Sequence, residues 1–68
     1  MNDYVERMVA ERDVLLKMIS KLSSFLEAKF GSDFDVRKFM LMNRQLGLMI
    51  GYLDVLQKRI DLETGEEE

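Results

Sequence analysis

Seven apolar residues in the second half of the chain, Phe39, Met42, Leu46, Met49, Leu53, Leu56 and Ile60, follow one another at spacings of 3, 4, 3, 4, 3 and 4. Only an α-helix puts such a row on one side, and at this length the row is the seam of a helix that packs along another helix. The first half answers with Met8, Leu15 and Leu22 at seven-residue spacing. Tyr4, Val5, Met18, Ile19, Phe25 and Leu26 join that row, and Glu11 and Arg12 interrupt it as a polar break. An antiparallel hairpin buries both seams against each other. The expected fold is therefore all-α, an antiparallel helical hairpin of two long helices.

The boundaries follow from the few residues that stop helices. Proline is absent and only four glycines are present. The first helix is expected to start near Asp3, where a side-chain carboxylate can accept from first-turn N–H groups and Glu6 completes a capping-box-like pair. It should run to about Lys29. Gly31 supplies a left-handed C-terminal residue, Ser32 and Asp33 are candidate caps for the next helix, and Asp35 belongs to its first turn. The second helix should reach about Leu62, giving each helix a length of roughly 40–45 Å. Residues 1–62 thus read as a single helical-hairpin domain and 63–68 as an acidic disordered tail.

A lone hairpin does not use all the apolar surface. Leu41, Leu48, Val55 and Leu62 form a further row at seven-residue spacing, with Ile50 and Tyr52 beside it. Such a row on a small protein marks an association surface. A chain of 68 residues without cysteine or histidine also has no disulfide or metal staple of the usual kind, which leaves oligomerisation as the route to a larger core. Gly47 and Gly51, four apart on one face, each cost ~1 kcal/mol of helix stability relative to alanine. They suit a close approach by another backbone, or the wall of a ligand pocket.

Charge narrows the partners. The net charge of -3 is dominated by Asp61, Glu63, Glu66, Glu67 and Glu68, while residues 1–60 hold ten bases and eight acids, a net of +2. The body suits an anionic ligand but is not basic enough for duplex nucleic acid. The longest apolar run, Leu46 to Leu53, is eight residues including two glycines, against ~20 for a membrane span. Asp3, Glu6 and Arg7 argue against a secretory signal, so the expected location is the cytoplasm. No histidine is available to activate Ser20, Ser23, Ser24, Ser32 or Thr64, and the acids do not cluster at metal-ligand spacing, so neither catalysis nor a metal or other cofactor is expected.

What remains is a set of binding groups. Lys17, Lys21, Arg44 and Arg59 can face phosphates, Ser23 and Ser24 can hydrogen-bond, and Tyr4, Phe25, Phe30 and Tyr52 offer flat faces to bases. Lysines on amphipathic helices are ordinarily surface charges and aromatics at seam spacing ordinarily core, so these groups alone do not select a ligand.

The order of residues says more. Tyr4-Val5-Glu6-Arg7-Met8-Val9-Ala10-Glu11, then Lys21-Leu22-Ser23-Ser24-Phe25-Leu26, then Gln45 with Met49, Tyr52, Leu56, Arg59 and Ile60 resemble the small phage anti-CBASS cyclic-oligonucleotide sponge family, also known as crAss-phage-related small helical proteins. The similarity covers residues 4–60. It implies a homo-oligomeric helical bundle, a hexamer, that holds cyclic dinucleotides at one set of inter-subunit pockets and cyclic trinucleotides at another, without cleaving them, in the cytoplasm of an infected bacterium. By the same resemblance Lys21 pairs with phosphate, Tyr4 stacks on a base, and Ser23 and Arg59 meet the phosphates of the larger ring. The segment Gly31 to Asp35 departs from the family's polar linker, which leaves a cyclic ADP-ribose-type signal open as the ligand. A helical coiled-coil adaptor or inhibitor that buries the second apolar row against a host protein is the other reading.

Overall fold

The computed structural model describes residues 3–65, and these form two helices, α1 (Asp3–Lys29) and α2 (Val36–Thr64), packed as an antiparallel hairpin. The expectation of an all-α hairpin is met, and the first helix has the expected ends.

The turn is built from short-range polar contacts. Gly31 takes the left-handed conformation, φ +77°, which costs a residue with a Cβ about 1 kcal/mol or more. The Ser32 backbone N–H and hydroxyl both donate to the Lys29 carbonyl, at 3.1 and 2.6 Å, and close the end of α1. Asp35, not Ser32 or Asp33, caps α2, because its carboxylate accepts from the Arg37 N–H at 2.9 Å. Ser32 is already committed to α1, and its hydroxyl also accepts from the Phe34 N–H at 3.2 Å.

At its far end α2 runs two residues beyond the expected Leu62. Gly65 ends it in a left-handed conformation, φ +76°, donating its N–H to the Asp61 carbonyl. Glu63 and Thr64 are therefore helical, and Glu66 to Glu68 of the expected tail lie outside the described residues.

The α2 seam is buried or half-buried at all seven positions, with Leu56 fully buried at 0% exposure. The α1 seam differs from the one expected. It reads Val5, Met8, Arg12, Leu15, Ile19, Leu22, Leu26 and Lys29, again at alternating spacings of 3 and 4. Tyr4, Met18 and Phe25 stand one residue before it and are exposed. The physical reason is the heptad itself: a row one residue out of phase lies about 100° round the helix and reaches only the flank.

Arg12 is not an interruption but occupies a seam position. It donates to Gln57 Oε1 at 3.2 Å across the hairpin, while Gln57 donates to Asp61 at 2.9 Å. No buried side-chain nitrogen or oxygen among the described residues lacks a partner.

The core is thin and the molecule long. Its extents are 48 × 19 × 15 Å and its radius of gyration 15.2 Å, against about 11 Å for a compact chain of this length. The accessible surface is 5449 Å², where a compact monomer of this mass exposes about 4,450 Å².

Candidate functional site

The heptad divides the hairpin surface into two flanks beside the seam and two outer faces. On one flank Arg59 donates to the Tyr4 hydroxyl at 2.7 Å. Tyr52 lies seven residues before Arg59, and Met18 and Phe25 lie 14 and 21 after Tyr4, so all five belong to one flank. Tyr4 is 43% exposed with its ring at the surface, and the hydrogen bond orients it while leaving four Arg59 donor hydrogens for an acceptor such as phosphate.

The opposite flank carries two shallow grooves. One, of about 450 Å³, is lined by Arg12, Leu16, Ile50, Leu53, Asp54 and Gln57. The other, of about 420 Å³, holds Ser23 with Glu27, Phe30, Phe39 and Asn43. Lys21 stands exposed on the outer face of α1, and among the described residues it has no hydrogen bond or ion pair.

One protomer therefore joins only two of the four candidate residues, Tyr4 and Arg59. Ser23 faces the other flank. Lys21 is 17 residues from Tyr4 along a straight helix, about 25 Å, beyond the span of a single cyclic dinucleotide. A site using all four types of group requires side chains from more than one copy of the chain.

Residues 2–62 match a family model described as Sequestin. The chain belongs to the Sequestin family. The match runs through α1, the turn and almost all of α2, so membership rests on the whole hairpin and not on one motif. No match exists among curated proteins or among solved structures. No helix among the described residues is long and apolar enough to cross a membrane, and these residues include no group of three or more metal-ligating side chains.

Two features escaped the sequence reading. All four phenylalanines gather at the turn: Phe25 meets Phe34 edge-on at 5.6 Å between centroids, and Phe30 meets Phe39 at 6.2 Å. The Lys29 ammonium sits 5.6 and 5.9 Å from the Phe25 and Phe34 rings, a cation–π arrangement. The available signal was Lys29 at seam spacing from Leu26. The second is the Arg12–Gln57 contact, whose two polar residues sit 45 apart in sequence and share no local pattern.

Proposed function

We propose that this Sequestin-family protein is a phage anti-defence sponge that binds cyclic oligonucleotide immune signals between its subunits and holds them without cleavage. The observation that carries the reading is the division of binding groups over separate faces of one hairpin: an aromatic–guanidinium pair at Tyr4 and Arg59, Ser23 on the opposite flank and an unpaired Lys21 on the outer face. The family's name, which suggests sequestration, supports the same reading.

Tyr4 stacks on a base, Lys21 and Arg59 pair with phosphates, and Ser23 donates to a phosphate of the larger ring. The groups come from different protomers of a homo-oligomer, a hexamer by family resemblance. Cyclic dinucleotides occupy one set of pockets and cyclic trinucleotides another. Binding lowers the free signal below the threshold of its bacterial effector by mass action, in the cytoplasm of the infected cell, and needs no cofactor.

Calorimetric titration with cyclic dinucleotides, cyclic trinucleotides and cyclic ADP-ribose isomers tests this, followed by heating the complex and weighing the released ligand. Tight binding with the ligand recovered at unchanged mass is expected. A changed mass would make the protein an enzyme, and no heat across the panel would leave a protein-binding adaptor.

A further inference from the structure

The row Leu41, Leu48, Val55 and Leu62 lies on the side of α2 turned away from α1, and its members are between 53% and 69% exposed. Its members are evenly spaced, so an antiparallel copy centred between Gly51 and Tyr52 can bring Leu41 against Leu62 and Leu48 against Val55. The charge along α2 is polarised about nearly the same point. Residues 36–53 carry Arg37, Lys38 and Arg44 and no acid, a net of +3, whereas 54–64 carry Asp54, Asp61 and Glu63 against Lys58 and Arg59, a net of -1.

We infer that this face is a two-fold contact in which α2 of one copy packs antiparallel on α2 of a second copy of the same chain. Antiparallel pairing lays the basic half of each helix on the acidic half of the other and matches Leu41 with Leu62 and Leu48 with Val55. A parallel pairing sets +3 against +3.

One further observation agrees. A Cβ built on Gly51 meets nothing within 4 Å inside the protomer, so the hairpin itself does not need this glycine, while a crossing centred beside it brings the second backbone closest there. The inference rests on the assembly part of the proposed function and is independent of the ligand.

Because the chain has no cysteine, disulfide mapping is clean. Gly51→Cys, near the two-fold axis, is expected to form a covalent dimer on mild oxidation. Leu41→Cys should not link to itself, being about 30 Å from its symmetry mate, but should link to Leu62→Cys when the two variants are mixed. Sedimentation equilibrium should show Leu48→Glu weakening the contact about 100-fold.

Self-linking of Leu41→Cys would overturn the antiparallel arrangement. An oligomer that ignores Leu48→Glu and gives no Gly51 link would overturn the contact while leaving assembly through another face. A wild-type chain that stays single at all concentrations would overturn the contact and the inter-subunit pockets together, and this face would then await a different protein. Crosslinking at Gly51 in a protein silent to every cyclic nucleotide would sustain the contact and remove the ligand reading.

Discussion

At the scale of single residues, the seam and the flank obey different rules. Leu56 is fully buried among Met8, Leu15 and Ile60, and Leu56→Ala removes packing worth about 2–5 kcal/mol. A hairpin this small holds only ~3–5 kcal/mol on its own, so the variant should show lost or strongly reduced helical ellipticity at room temperature. In the proposed sponge, binding falls instead to side chains outside the seam, on the flanks and the outer face. Lys21→Ala loses a charge-assisted pair of ~1.5–3 kcal/mol, so titration should show cyclic dinucleotide affinity reduced by roughly 10–150-fold while the sedimentation coefficient stays unchanged. Full affinity in that variant would take Lys21 out of the site. Tyr4→Phe separates the roles of its ring and hydroxyl: it keeps the stacking face and releases Arg59, so it should retain more affinity than Tyr4→Ala in the same titration.

At the scale of elements, the turn decides where α2 begins. Asp35→Ala removes the carboxylate that accepts from Arg37 and should lower stability by about 1 kcal/mol. Gly31→Ala puts a Cβ at φ +77° and should destabilise by at least about 1 kcal/mol through strain alone, since nothing lies within 4 Å of that Cβ. Chemical denaturation with midpoints compared at equal protein concentration measures both. The α2 seam was readable because its seven positions keep one phase without a polar member. The α1 seam was harder: its true row contains Arg12 and Lys29, and the aromatic residues Tyr4 and Phe25 one step out of phase look more like core than a half-buried arginine does. The facing Gln57, which the folded hairpin brings to 3.2 Å, and the adjacent Asp13, whose carboxylate accepts from the same guanidinium at 3.2 Å, satisfy Arg12 there.

At the scale of the whole molecule, a thin core lies under exposed apolar rows, and the proposed assembly would couple folding to association. If the α2 face is covered only in the oligomer, apparent stability rises with protein concentration by mass action. The melting temperature should therefore increase over a hundredfold dilution series read from dilute to concentrated, and a flat series would mean the hairpin is stable alone. The polarised charge of α2 adds a second dependence. If the basic and acidic halves of α2 face each other across copies, raising salt to 1 M, where the screening length is ~3 Å, should shift the assembly toward smaller species, detectable by light scattering.

Local pattern was enough for the two helices, the turn at Gly31 and the existence of a second apolar row, because a 3.6-residue period and a left-handed glycine act within a few residues of the chain. Packing settled what no local rule reaches. It set the phase of the α1 seam, transferred capping to Asp35 because Ser32 was already engaged, and brought Tyr4 to Arg59 across 55 residues. It also put Ser23 on the opposite flank and Lys21 on an outer face, because each side chain's direction is fixed by its phase relative to the seam and not by the residues beside it in sequence.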